Sequence, residues 1–350
     1  MKLARNTVAV ALFALSVAML FFSSATLSAQ SHQNSEVASF SVATNLVMVP
    51  LSVFDERGLM SENLRKEDFL LWENQARQEI RSLGVDSNSI SVLLVIDTSP
   101  SSKSELAKMK SAAETFAGKL GKGERISIIT FDENVNLVLD WTSDTKMVKR
   151  ALSKVQSGLR TALYDAMYLA AIEQMRGIEG HSAIILLTDC LNNHSRVSFE
   201  EAAHAVSKSQ ATFYLISKTT FVREQARQVR RVVIIEDIYR KMFGEEMNYV
   251  DEFFNRREKE MVELAENTGG RVFFPTDYNS IKNVYAEIAR ELKNKYYLTY
   301  VSNQDLAPYS WHRISIEYLR PASEVMYRKG YYYLPASPRR FAGPVFAPLK

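Results

Sequence analysis

The stretch Ser91-Val92-Leu93-Leu94-Val95-Ile96-Asp97-Thr98-Ser99-Pro100-Ser101-Ser102 decides how this chain is read. The apolar run from Val92 to Ile96 suits a strand buried on both faces and is too short for a helix. Asp97, Ser99 and Ser101 end it. A helical pattern follows, with Leu106, Met109, Ala113, Phe116, Ala117 and Leu120 on one face. A strand that ends in a polar loop and passes into a helix is where open α/β sheets place their ligands. One carboxylate and two hydroxyls at alternate positions are hard oxygen donors, suited to Mg2+ or Mn2+ rather than zinc or copper. Ser and Asp are also favoured at a helix N-cap with no metal present, and this stretch alone leaves both readings open.

Downstream, strand and helix patterns alternate. Residues 125–131 and 135–140 read as strands joined by the short turn Asp132-Glu133-Asn134, hence antiparallel. Residues 144–155 and 162–175 read as helices, 183–188 as a buried strand, 199–207 as a helix and 211–216 as a strand. This alternation predicts an α/β fold with a doubly wound, mostly parallel sheet over residues 90–293. Residues 219–266 are long, charged and helical in pattern and are expected as a dispensable insertion. Within them an apolar series from Val229 to Phe243 is flanked by Arg223, Arg227, Arg230, Arg231, Arg240 and Lys241. A short last strand over 271–274 and an amphipathic helix over 278–292 complete the domain. Strand patterns also occur in 38–85 and, rich in tyrosine, at 295–301, 312–318 and 325–334. Neither group is large enough to bury a core alone. The N- and C-terminal strands are therefore expected to pack as one small β module, 38–85 with 295–334. The tail 335–350, with Pro335, Pro338, Pro344 and Pro348, is expected to lie outside any core.

Composition sets the broad class. The chain has 350 residues, 46% hydrophobic and 24% charged, which is ordinary for a globular protein with room for two domains. Its N-terminus is different. Lys2 and Arg5 precede an apolar run over 8–22, then Ser23, Ser24 and Ala25, with Ala29 beyond. That is the layout of a secretory signal peptide over 1–29, which implies a periplasmic or secreted protein. An uncleaved membrane anchor is the alternative, because the run approaches the length of one. Loss of Lys2 and Arg5 takes the formal charge from +3 to +1, leaving no electrostatic footprint for nucleic acid. Cys190 is the only cysteine, so no internal disulfide forms. Burial as a small apolar residue is expected for it.

Three segments then converge. Thr161 opens a helix after Gly158, and Asp189 ends the strand 183–188. In a parallel sheet both fall at the same carboxyl edge as Asp97, Ser99 and Ser101. Two carboxylates and three hydroxyls there suit one divalent ion that keeps waters and accepts a further oxygen from outside.

With these residues in view, the chain resembles von Willebrand factor type A domains. D-T-S-P-S matches their D-x-S-x-S motif, G-L-R-T carries the threonine at Thr161, and L-L-T-D carries the last aspartate at Asp189. The flanks resemble a narrower group, the bacterial exported VWFA-related domain proteins. They do so through Asp68, Phe69 and Glu73; through Thr268, Gly269, Gly270, Arg271 and Phe273; through Glu291, Leu292 and Tyr296; and through Arg328-Lys329-Gly330-Tyr331. The resemblance implies a metal-ion-dependent adhesion site formed by Asp97, Ser99, Ser101, Thr161 and Asp189. It would hold Mg2+, or Mn2+ or Ca2+, and bind an acidic side chain of a protein partner without catalysis. Pro100 and Ser102 depart from the usual glycine and methionine and are expected to affect loop shape only. Cys190 stands where glycine is usual and is strained if its φ is positive.

Two other readings stay open. One is a structural scaffold whose helical insertion is the interface. The other, a metal-dependent phosphohydrolase, is less supported. Ser99 stands where a second carboxylate would be needed, and no Gly-rich phosphate loop occurs. His181, His194 and His204 lack zinc-protease spacing, and Ser99 lacks a G-x-S-x-G turn. Removal of Asp97 is expected to leave the metal-free fold intact, since two carboxylates at one site repel. N-terminal sequencing of the mature protein should read a first residue between positions 26 and 30; Met1 on a soluble cytoplasmic chain would overturn the export reading.

Overall fold

The computed structural model describes residues 45–85, 89–121, 123–178, 180–227, 240–241, 249–277, 279–322 and 324–334. The expected signal peptide, the tail 335–350 and most of the apolar–basic series 229–243 lie outside these. From the N-terminal side come β1 (Leu46–Phe54), β2 (Phe69–Glu73), β3 (Ala76–Gln78) and β4 (Ile80–Val85). Next are β5 (Ser91–Asp97), α1 (Leu106–Ala117), β6 (Arg125–Phe131), β7 (Val135–Thr142), α2 (Thr145–Ser153) and α3 (Leu163–Leu169). Then follow β8 (Ser182–Thr188), α4 (Phe199–Ser209), β9 (Thr212–Ser217), α5 (Thr219–Arg227), α6 (Tyr249–Asn267), β10 (Val272–Phe273) and α7 (Ile281–Asn294). Last come β11 (Tyr296–Val301), β12 (Trp311–Tyr318), β13 (Glu324–Tyr327) and β14 (Gly330–Tyr332).

The fold is α/β. Among the described residues its main sheet has six strands in the order β10-β9-β8-β5-β6-β7. β5 pairs in parallel with β6 and with β8, while β7 runs antiparallel to β6. Side chains alternate across a strand, and β5 needs apolar residues on both faces. Val92, Leu94 and Ile96 pack with Met109 and Phe116 of α1 and Tyr285 and Ile288 of α7. Leu93 and Val95 pack on the other face with Leu163 and Met167 of α3 and Val206 of α4. Among the described residues no helix is long and apolar enough to cross a membrane.

Three expectations change. The helix expected over 162–175 is α3 followed by a wider, π-type turn at 170–174. That turn carries Gln174 inward, where its Nε2 donates to Ser127 Oγ at 2.9 Å and Asp140 Oδ1 at 2.8 Å. The stretch 219–266 is not a removable insertion throughout: α6 buries Met261, Leu264 and Ala265 in the same core as β5. The strand expected over 325–334 is two strands in two different sheets, with the corner at Arg328-Lys329. Gly330 follows that corner because any Cβ there would lie 2.3 Å from the Trp311 ring.

Strands from both ends of the chain form two further sheets, β13-β1-β11-β4 and β14-β12-β2-β3. They share one core, which includes Val49, Leu51, Leu71, Leu298, Tyr300 and Ile314. A buried carboxylate, Glu73, ties that core together. Its Oε1 lies 2.8 Å from His312 Nδ1 and accepts the Tyr331 hydroxyl at 2.7 Å, and its Oε2 accepts the Ser302 hydroxyl at 2.5 Å.

A second buried network joins this module to the main sheet. Glu291 Oε1 accepts from Tyr214 OH and from Lys295 Nζ, each at 2.8 Å. Lys295 Nζ also reaches the Gly269 carbonyl at 3.0 Å and Ser52 Oγ of β1 at 3.3 Å. Gly270 presses so close to β9 that a Cβ would lie 1.9 Å from the Phe213 carbonyl oxygen.

Removing one partner of a buried charged network leaves the others unpaired, at a cost of about 3–5 kcal/mol. Glu73→Ala should lose that much stability in urea unfolding, and Glu73→Gln less, because the amide still accepts from Tyr331 or Ser302.

Candidate metal centre

Asp97 is the last residue of β5 and has no solvent exposure. Its Oδ1 accepts the Ser99 amide at 2.8 Å, an Asx-type turn that bends the chain off the strand. Its Oδ2 accepts the Thr188 hydroxyl at 3.0 Å and faces the Lys218 ammonium at 3.4 Å. The bend brings Ser99 Oγ to 3.1 Å from Ser101 Oγ. Ser101 Oγ in turn donates to Asp189 Oδ2 at 2.6 Å. Asp189 follows β8, and its Oδ1 accepts the Leu191 amide at 3.1 Å. Burial, and then the nearby Asp97 charge, push the Asp189 carboxyl above its ordinary range, against the opposing pull of Lys218 and the Ser101 hydroxyl.

The structure thus brings Asp97, Ser99, Ser101 and Asp189 together. Thr161 is buried in the neighbouring loop, which is pinned from three sides. The Gly158 amide donates to the Thr98 carbonyl at 3.0 Å, the Ser157 hydroxyl to the Ser99 carbonyl at 3.3 Å, and the Thr161 amide to Asn193 Oδ1 at 2.9 Å. Glu133 Oε2 accepts the Leu159 amide at 2.6 Å and the Arg160 amide at 3.2 Å, and the Leu159 bond holds the Glu133 carboxyl low. No hydrogen bond among the described residues joins the Thr161 side chain to the other four. Nor do three His, Cys, Asp or Glu side chains group as ligands among the described residues. A metal centre here relies on hydroxyls as much as on carboxylates. Ser99, Ser101 and Asp189 offer hard oxygens in mutual contact, which suits a divalent ion such as Mg2+.

Cys190 is buried at φ 60°. The glycine-favouring conformation therefore exists at this position, and a cysteine there carries strain of about 1–2 kcal/mol. Its thiol is pushed up by burial and packs in the core beneath α3 and α4.

Two residues were not legible as part of the site. Lys218 directly follows β9 at the same carboxyl edge, and its side chain is fully buried. A charged residue close behind the apolar positions Phe213, Leu215 and Ile216 was the available signal. Ser102, expected to affect loop shape only, instead accepts a hydrogen bond from the Lys218 ammonium. A methionine at that position has no oxygen to offer.

Residues 92–191 match the family model described as von Willebrand factor type A domain. No curated protein matches the chain in sequence. Among solved structures the chain is similar to an aerotolerance-related membrane protein from Bacteroides fragilis, at 16% identity over 58% of this chain and 100% of that one, with a TM-score of 0.41. It is also similar to a von Willebrand factor type A protein from Catenulispora acidiphila, at 11% identity over 82% and 72%, with a TM-score of 0.43. A third is proximal thread matrix protein 1 from the mussel byssus, whose MIDAS motif is occupied by zinc. There the identity is 16% over 62% of this chain and 48% of that one, with a TM-score of 0.44.

The buried pair reverses the expectation for Asp97. Asp97→Ala strands the Lys218 ammonium in a dry site, which should cost about 3–5 kcal/mol of metal-free stability. Urea unfolding in EDTA measures it, and the double replacement Asp97→Ala with Lys218→Met should recover part of the loss.

Proposed function

We propose that this chain is an exported, metal-ion-dependent protein-binding module, a reading supported by the match of residues 92–191 to the family model described as von Willebrand factor type A domain. Asp97, Ser99, Ser101, Thr161 and Asp189 would hold the divalent ion, Mg2+ or else Mn2+ or Ca2+. We assign 90–293 to the binding domain, 38–85 with 295–334 to the β module beside it, and 1–29 to the signal peptide. The observation that carries the reading is the continuous oxygen chain Ser99–Ser101–Asp189, with links of 3.1 and 2.6 Å.

When bound, the ion supplies an electrophilic position for a carboxylate oxygen of the partner. The chain's own residues do the rest. Neutral hydroxyls add oxygens without adding charge. Asp97 shapes the loop through the Ser99 amide, and Glu133 and Asn193 fix the threonine loop from outside.

One other arrangement has the order of a hydrolase triad. Ser310 Oγ lies 2.7 Å from His312 Nε2, and His312 Nδ1 lies 2.8 Å from Glu73 Oε1. The Ser310 hydroxyl also sits 2.5 Å from the Ala307 carbonyl, the imidazole is buried against the Tyr331 ring, and Glu73 is shared with Tyr331 and Ser302. Those contacts make it a clamp between strands.

Calorimetric titration of Mg2+ and Mn2+ tests the reading. Asp189→Ala should abolish binding, and Thr161→Ala should weaken it less, because water replaces a neutral ligand. Pull-down from extract should recover a partner in Mg2+ and lose it in EDTA. Unchanged ion binding by Asp189→Ala would sink the proposal.

A further inference from the structure

The carboxyl edge of the main sheet carries a cation of its own. Lys218 Nζ has no solvent exposure, lies 3.4 Å from Asp97 Oδ2 and donates to Ser102 Oγ, which is also buried. The backbone around it is fixed. The Lys218 amide donates to the Thr188 carbonyl at 2.8 Å, the Ser102 amide to the Ser99 carbonyl at 2.9 Å, and Ser217 Oγ meets Thr219 Oγ1 at 2.7 Å. The ammonium is thus built into the same loops that present Ser99, Ser101 and Asp189.

We propose that Lys218 is the residue that sets this centre's ion affinity: an internal cation that neutralises Asp97, keeps the cluster assembled without a divalent ion, and weakens the binding of one. The inference rests on the metal reading above. With Asp97 and Asp189 ionised, the cluster offers two negative charges, and Lys218 cancels one of them. A like charge beside a cation site disfavours its occupation. The ammonium does not swing away to make room, because it is fully buried and held by Ser102 and Asp97, and leaving them would strand its own charge in a dry site. Ser102 is the matching substitution, since it supplies the oxygen that holds the ammonium in place. The loops therefore stay ordered when the ion is absent, and partner capture follows the free ion concentration instead of being saturated at low levels.

The test is calorimetric titration of Mg2+ and Mn2+ into the full chain. It uses the parent, Lys218→Met and Lys218→Gln, each with and without Asp189→Asn, with thermal unfolding in EDTA and in Mg2+ as the second readout. Lys218→Gln keeps a donor toward Ser102 without the charge, so it stands in if the methionine variant does not fold. Removing a buried charge beside the ion should tighten binding at least about tenfold, enlarge the Mg2+-dependent rise in Tm, and lower the Tm in EDTA. Asp189→Asn should abolish the tightened binding. Neutral variants that bind no more tightly than the parent overturn the proposal; the metal reading survives if the parent's binding is lost in Asp189→Asn. Binding by the neutral variants but not by the parent supports the proposal and overturns ion-dependent capture by the parent. If no variant binds an ion, both fall.

Discussion

An ionised carboxylate without access to water must be matched by charge and hydrogen bonds together, because an unmatched one costs several kcal/mol. Asp97 is such a group, and the segments that match it come from separate parts of the chain. Ser99 supplies an amide from the loop, Thr188 a hydroxyl from the end of β8, and Lys218 an ammonium from the end of β9. These groups meet only if β9, β8 and β5 lie side by side in register, as they do. Next to them, the Thr98 amide donates to the Phe131 carbonyl at the end of β6. A slip of one residue in any of these strands would turn its buried side chains to the wrong face and remove a partner from Asp97. The apolar runs give the sheet its bulk, and the carboxyl edge adds a demand on its register.

The same logic operates away from the edge. Glu73, and Glu291 with Lys295, are buried charged groups whose partners come from distant strands. Each network joins layers that apolar contacts alone would let slide. Glu73 draws together β2, β12 and β14. Glu291 and Lys295 connect α7 to β9, to the loop before β10 and to β1. Within the main domain, Thr268 accepts the Phe213 amide and donates to the Ala265 carbonyl at the end of α6. Of the flanking motif residues, Gly269 and Glu291 therefore mark where the two parts of the molecule meet, Glu73 and Tyr331 lie within the β module, and the ion site lies elsewhere.

Much of this was readable in the residues. The run Val92–Ile96 predicted a strand covered on both faces, the turn at Asp132-Glu133-Asn134 predicted the antiparallel β6–β7 pair, and the terminal strand groups predicted the added sheets. Positions at strand and helix boundaries predicted that Asp97, Ser99, Ser101, Thr161 and Asp189 would meet; the first three and Asp189 come together, and Thr161 is buried in the neighbouring loop. What stayed hidden depended on pairing across the fold. Nothing local in Lys218 says that its ammonium faces Asp97, and Ser102 gains its role only when Lys218 is beside it. The turn at 170–174 widens because Gln174 finds partners on β6 and β7, and the break at Arg328-Lys329 reflects a change of sheet that a continuous apolar pattern conceals. α6 was misjudged because its charged face dominates its composition, while Met261, Leu264 and Ala265 are buried.

The place of β1 has a consequence for how the chain is made. Leu46 pairs with Val301 and Val53 with Val325, so the first strand among the described residues is bonded on both sides by strands far along the chain. The main sheet between them is assembled mostly from segments closer together in sequence and has what it needs to close early. During synthesis β1 must wait for on the order of ten seconds or more, at the usual pace of elongation, before its neighbours exist. Through that time it is an unpaired, valine-rich edge, a template for joining another chain. A nascent chain interrupted before β11 would carry a finished α/β domain and an open strand beside it, and it is that strand a chaperone or protease would read.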